Sequence, residues 1–216
     1  MAPSSDITVY HARMTRSSRV VFLLEELGLP YKVVKKPFLP FGLRDDAEYV
    51  DSIHPLGLLP GFTDGPDITI IESVAVMQYL VEQYDPEHKL SPPISDKHAR
   101  AAYLNWLVFA EATLAAAVGY TEMHTLVLPE ERRNARAAEQ TKIGVTQGLA
   151  ILEKALAGKT FGIVNGSFTA ADIVLYQTVY LADELLHMVS PEEYPNISAW
   201  YAEVAKRPAA AKAYKE

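Results

Sequence analysis

Apolar positions change period along the chain, and the changes mark out its parts. Ile7 to Tyr10 is a short apolar-rich run that reads as a strand. From Arg16 onward, Val20, Leu23, Leu24 and Leu27 follow the i, i+3, i+4, i+7 spacing of one helix face, and Gly28 with Pro30 stops it. Tyr31 to Val34 reads as a second strand, and Arg44 to Asp51 is weakly helical. Gly61 to Thr63 and Ile68 to Ile71 pattern as two strands around the turn residues Asp64-Gly65-Pro66. Helical spacing resumes at Val76, Met77, Leu80, Val81 and Tyr84. The predicted order over residues 1–84 is β-α-β-α-β-β-α, a small mixed sheet flanked by helices.

Residues 85–95, DPEHKLSPPIS, carry three prolines and read as a linker. From 96 to 216 the pattern is helical and yields no convincing strand. One helix spans 96 to about 125, another 129–156 with Pro129 at its start, and a shorter one covers 195–207. Thr169-Ala170-Ala171-Asp172 is a capping box, with Phe168 and Ile173 at the staple positions, so another helix begins there. The chain is therefore predicted as an α/β domain over 1–84, a linker over 85–95 and an all-α domain over 96–216.

Composition narrows the function. A formal charge of −7 disfavours nucleic-acid or anionic-membrane partners, because the small basic cluster Arg13, Arg16 and Arg19 cannot neutralise many phosphates. The absence of cysteine excludes disulfides, thiolate metal sites and chemistry on the protein's own thiol. The amino-terminal residues show no apolar signal core, and Glu111 and Glu122 break the longest apolar run. A cytoplasmic protein is expected, with no metal and no membrane partner.

The segment HPLGLLPGFTDGPDITIIESVAVMQYL, residues 54–80, carries the chemistry. Proline cannot donate to a sheet ladder, so Pro60 at a strand entrance belongs at an edge or turn. A cis bond to Leu59 would turn the Leu59 backbone outward, free to pair with an extended peptide; a trans proline ending a loop is the plainer alternative. Glu72 and Ser73 open the next helix, where free N–H groups and the positive dipole end attract a carboxylate. Together they suit an amino-acid end, Ser73 holding its carboxylate and Glu72 its ammonium. They also suit simple helix caps.

This stretch, with its HPLG, its proline and its ESVAVMQYL, resembles the glutathione-binding segment of the glutathione transferase family. TRSSRVVFLLEELGLPY is similar to that family's first helix and following strand, in the style of fungal and bacterial members, and FTAADI and YLNWLVFAEATL resemble parts of its helical domain. The resemblance implies a thioredoxin-like N-terminal domain, an all-α C-terminal domain and a homodimer. It also implies glutathione as co-substrate, with Leu59 pairing with its cysteinyl part, Pro60 as the family's cis-proline, and Glu72 and Ser73 gripping the γ-glutamyl end. The chain departs from the pattern at Leu58, where many members carry a Lys that reaches the glycyl carboxylate, and PGF replaces the more usual PVL.

The implied reaction is attack by the glutathione thiolate on a small hydrophobic electrophile, in detoxification or biosynthesis. A free thiol has a pKa of about 8.5, so something must stabilise its anion. The hydroxyls between the first strand and first helix are Thr15, Ser17 and Ser18. Counted back from LEE, the serine of serine-type members falls at Met14, next to Thr15. Thr15 is the first candidate donor and Ser17 the second; Ser17 and Ser18 serve equally well as helix N-terminal residues. The absent cysteine rules against the cysteine-type members. Phe38, Phe41, Tyr103, Trp106 and Tyr120 are possible walls of the electrophile site or plain core. A non-catalytic ligand-binding or regulatory module, and a glutathione-dependent isomerase or peroxidase, are the alternatives.

Overall fold

A computed structural model describes residues 6–159 and 161–215. It divides into two compact units, Met1–Glu87 with Arg207–Glu216, and His88–Lys206.

The first unit is built on a four-stranded sheet in the order β2-β1-β3-β4, with β1 Ile7–His11, β2 Lys32–Lys35, β3 Gly61–Asp64 and β4 Ile68–Ile70. β1 runs parallel to β2, with Val9 opposite Val33, and antiparallel to β3, with Val9 opposite Phe62. Alternation along β1 buries Ile7, Val9 and His11 on one face. Three helices accompany the sheet: α1 Ser17–Leu27, α2 Ala47–Ser52 and α3 Ser73–Tyr84. The apolar stripe of α1 is buried from Val20 to Leu24. Gly28 ends it as expected, in the left-handed conformation (φ 64°), with Gly28 N–H on Glu25 O and Leu29 N–H on Leu24 O, the paired bonds of a Schellman motif.

The second unit is helical. A 31-residue helix, Lys97–Val127, runs as α4 Lys97–Val108, a π-helical stretch Phe109–Ala115, α5 Ala116–Glu122 and a second π-helical stretch Met123–Val127. By length and composition this helix is long and apolar enough to cross a membrane, its best 18-residue window having a mean hydropathy of 1.4. The helix expected over 96 to about 125 is thus present, whereas the expectation that Glu111 and Glu122 keep its apolar run short of membrane-spanning length is not met. A third of that window (33%) is buried inside the protein, through residues such as Ala110, Leu114 and Val118. The remaining helices are α6 Ala135–Leu156, α7 Ala170–Glu184 and α8 Pro195–Ala205. α7 is apolar on nearly every face, as a central helix must be, and packs against α4 and the first π-helical stretch.

Two expectations are corrected. The helix placed at 129–156 begins at Ala135, because Asn134 caps it by accepting from Ala137 N–H at 3.1 Å. Pro129 instead precedes a single 3-10 turn, Glu130–Arg132. The all-α stretch 96–216 also loses its end: the last helix, α9 Pro208–Lys215, belongs to the first unit and packs on α1. Ala209, Ala210, Ala213 and Tyr214 are buried there, the Tyr214 ring lies edge-on to Phe22, and Arg207 forks onto the Glu26 carboxylate at 2.7 and 2.5 Å.

Candidate functional site

The HPLG turn is locked by backbone. Gly57 N–H donates to His54 O at 2.7 Å, and Leu43 N–H donates to Gly57 O at 2.6 Å. Gly57 has φ 64°, and a Cβ there would sit 2.8 Å from the Leu43 carbonyl carbon, so the position needs glycine twice over. His54 is buried, which lowers its pKa against the opposing pull of Glu72, and its Nδ1 accepts from Leu56 N–H. The Leu59–Pro60 bond is cis, as the sequence reading expects for this proline. Among the described residues nothing bonds to the Leu59 backbone N–H or carbonyl.

Tyr49 sets the position of this loop. Its hydroxyl donates to Leu58 O at 2.6 Å, and its ring is buried. Gly61 leaves room for it: a Cβ there would fall 2.8 Å from the Tyr49 hydroxyl and 2.4 Å from Ile53 Cγ2. Tyr49 lies in the segment whose helical pattern was weak, so the sequence reading did not single it out. Leu58 itself is 44% exposed.

At the start of α3, Glu72 is the N-cap in extended conformation, and among the described residues its side chain caps nothing. No acidic residue stands in the first turn. The first N–H groups of the helix thus keep their positive end without an internal carboxylate. Ser73 is buried, and its hydroxyl accepts from Arg19 Nη1 at 3.2 Å. Arg19 is 1% exposed, a buried guanidinium set directly behind this helix start. In the sequence Arg19 is one of three arginines in a small basic cluster.

The β1–α1 turn holds the candidate hydroxyls. Met14, where serine-type members keep their serine, takes a left-handed backbone (φ 62°), which costs a non-glycine residue about 1–2 kcal/mol. Thr15 follows it, half-buried, and its hydroxyl donates to Ala12 O at 2.7 Å. Ser17 is fully buried, with its Oγ 2.6 Å from Thr15 Oγ1 and 2.7 Å from His11 Nδ1. Ser18 is also fully buried, and its hydroxyl has no hydrogen-bond partner among the described residues. Burial, helped by the Lys35 ammonium, lowers the His11 pKa to about 4, so the ring is neutral. His11 escaped the sequence reading because a lone histidine ending a strand carries no pattern.

These three places lie at one edge of the first unit. The β1/β3 ladder pairs Tyr10 with Gly61, which puts Pro60 beside the end of β1, and Arg19 links α1 to the start of α3. Thr15, Ser17, Leu59, Pro60, Glu72 and Ser73 all stand on these connected elements. Of the aromatic residues considered for the electrophile site, Tyr103 is core, whereas Tyr120 and Phe38 are exposed at 64% and 57%.

Comparison with known proteins agrees with this fold. Residues 5–82 match the glutathione S-transferase N-terminal domain, and residues 133–203 match the glutathione S-transferase C-terminal domain. The glutathione S-transferase-like protein OpS6 of Beauveria bassiana is 30% identical, over 98% of this chain and 96% of that one. Among solved structures, the glutathione transferase URE2P6 of Phanerochaete chrysosporium, in complex with oxidized glutathione, superposes with a TM-score of 0.84 at 28% identity, over 100% of this chain and 97% of that one. Ure2p5 of the same organism, cocrystallized with 1-(S-glutathionyl)-2,4-dinitrobenzene, gives 0.82 at 26%, over 97% and 93%. The chain belongs to the glutathione S-transferase family.

Proposed function

We propose that this protein binds glutathione and transfers its thiolate to small hydrophobic electrophiles, working as a homodimer. The observation that carries the reading is the start of α3, which among the described residues has no side-chain cap, backed by the buried Arg19–Ser73 pair and accompanied by a Leu59 backbone with no partner among those residues. The γ-glutamyl carboxylate accepts from the first N–H groups of α3 and from Ser73, where helix dipole and guanidinium both favour an anion. Glu72, exposed at the rim, holds the ammonium. The cysteinyl backbone pairs with Leu59, and Pro60 shapes that edge.

The thiol gives up its proton to water, and Thr15 donates to the resulting thiolate. Of the two candidate hydroxyls, only that of Thr15 lies on a residue with surface exposure, Ser17 being fully buried. Lowering a thiol pKa from about 8.5 by two units takes about 2.7 kcal/mol, and one hydrogen bond to a charged group supplies about 1.5–3 kcal/mol. The thiolate then attacks the electrophilic carbon and the leaving group departs. The conjugate cocrystallized with Ure2p5 makes 1-chloro-2,4-dinitrobenzene the natural probe. The dimer is proposed through the exposed, small and apolar face of the long helix, including Ala101, Leu104, Val108 and Ala112.

Titration calorimetry with glutathione, followed by a conjugation assay with that chloride, tests the reading. Binding at millimolar glutathione or tighter, with conjugation that falls in Thr15→Val, is expected. Binding without conjugation would identify a non-catalytic module, and no binding at millimolar glutathione would remove glutathione as ligand.

A further inference from the structure

The turn carrying Thr15 and Ser17 makes more hydrogen-bonding contacts than its two hydroxyl protons can serve. Ser17 Oγ lies 2.7 Å from His11 Nδ1 and 2.6 Å from Thr15 Oγ1, and Thr15 Oγ1 lies 2.7 Å from Ala12 O. Each is a full hydrogen-bond length and needs one proton between its atoms. The Ala12 carbonyl only accepts, so Thr15's proton goes there. Ser17's proton then fills the Ser17–Thr15 contact. The third contact is filled only by a proton on the imidazole.

We infer that His11 is a positioning residue for thiol activation: its Nδ1–H donates to Ser17, Ser17 donates to Thr15, and Thr15 stands at the end of the chain with the proton that an incoming thiolate can take. The inference rests on the transferase reading and deepens it, because it separates the roles of the two hydroxyls. The secondary contacts fit. Ala12 N–H reaches Ser17 Oγ at 3.3 Å and Ser17 N–H reaches Thr15 Oγ1 at 3.3 Å, each on an oxygen with a second lone pair. The approach of Ser17 Oγ to Ala12 O, at 3.2 Å, is longer than O–H···O bonds run and is left without a proton.

Direction matters because a chain of hydrogen bonds polarises along its length. With the proton on Nδ1, Thr15 exchanges one acceptor, Ala12 O, for another, the thiolate, and nothing behind it has to turn. With the proton on Nε2 instead, Ser17 would donate to His11 and Thr15 to Ser17, and the outward donor would be lost. His11 is buried at the end of β1 with the Lys35 ammonium as its charged neighbour, and its ring is neutral above a pH of about 4. At neutral pH its tautomer, not its charge, therefore sets the chain.

The test compares three substitutions. His11→Asn keeps an N–H donor near the Nδ1 position, His11→Asp puts an acceptor there, and His11→Leu puts neither. The Asp and Leu variants are expected to raise the apparent pKa of bound glutathione, read from the pH profile of conjugation and from thiolate absorbance, by about one unit, which is about tenfold less thiolate at neutral pH. The Asn variant restores the parent profile, and glutathione affinity stays level across all three. Nitrogen-15 NMR of the free protein at neutral pH is expected to place the ring proton on Nδ1. A proton on Nε2, or a common pH profile for the Asn, Asp and Leu variants, overturns the inference. If the parent makes no conjugate, the transferase reading fails separately, and the ring tautomer, read without ligand, still decides the direction of the chain.

Discussion

Two helices of this protein begin in opposite ways. α7 is closed by its own side chains: its capping box forms over Thr169 and Asp172, and the buried Asp172 carboxylate accepts from Thr169 N–H (2.9 Å), the Thr169 hydroxyl (3.0 Å), Ile163 N–H (2.8 Å) and Trp200 Nε1–H (3.0 Å). α3 is left open: its N-cap side chain makes no cap bond among the described residues, and the nearest buried side chain brings more positive charge, not less. The same four orphan N–H groups exist at any helix start. Where an internal carboxylate closes the turn by accepting from the N-cap N–H and hydroxyl, the helix start is a stability device; where no such carboxylate stands and a guanidinium lies behind, the start suits an external anion.

The contrast breaks first at Asp172. Asp172→Ala strands the Trp200 and Ile163 donors in the core, each at about 1–3 kcal/mol, so unfolding in urea should show a loss of about 2–6 kcal/mol. Glutathione affinity of the folded fraction should be unchanged. A loss below about 1 kcal/mol would mean that those donors find other acceptors.

Asp172 also gives the helical unit a pH dependence. Burial raises its pKa from 3.8 to about 6, against its four donors. Because the folded value lies above the unfolded one, its proton-linked stability is fully present below about pH 3.8 and is lost as pH rises through about 6. At about 1.36 kcal/mol per unit the swing approaches 3 kcal/mol. Asp172→Asn should flatten this portion of the stability profile between pH 4 and 7; parallel profiles for the two proteins would contradict the buried-carboxylate account.

At the open helix the sign of the effect changes from stability to binding. Ser73→Ala should weaken glutathione by about 1–3 kcal/mol. Should the melting temperature fall and the dissociation constant hold, Ser73 is a cap after all. The smallest effect is expected at Thr169→Ala, about 0.5–2 kcal/mol of stability with affinity untouched. Calorimetry of this variant that shows weaker glutathione binding without destabilisation would erase the distinction between the two helix starts.

Both helix starts were legible in the sequence because their signals are local. A capping box is four consecutive residues, and a Glu-Ser pair ahead of VAVMQYL needs only helical spacing to be placed. Pro60 was legible for the same reason, since a proline at a strand entrance restricts what the backbone can do. Arg19 was not, because its burial depends on α1 lying against α3, a contact between residues 54 positions apart. Tyr49 and His11 were missed likewise: each acts through one partner brought to it by the sheet or by a loop. The start of α6 was misplaced because Pro129 and Asn134 both offer start signals, and Asn134 has the bonded cap. The long helix was legible almost end to end, 96 to about 125 against Lys97–Val127, because its periodic spacing is local.

The pairing of α9 with α1 bears on the order of synthesis. The Arg207–Glu26 contact closes a loop of 181 residues, and the whole helical unit lies inside it. On the ribosome the helical unit emerges complete while the first unit still lacks the helix that covers Phe22. The glutathione-binding fold is therefore finished last although it is translated first. Its maturation includes a long-range docking step, the kind of contact whose loop-closure cost slows folding.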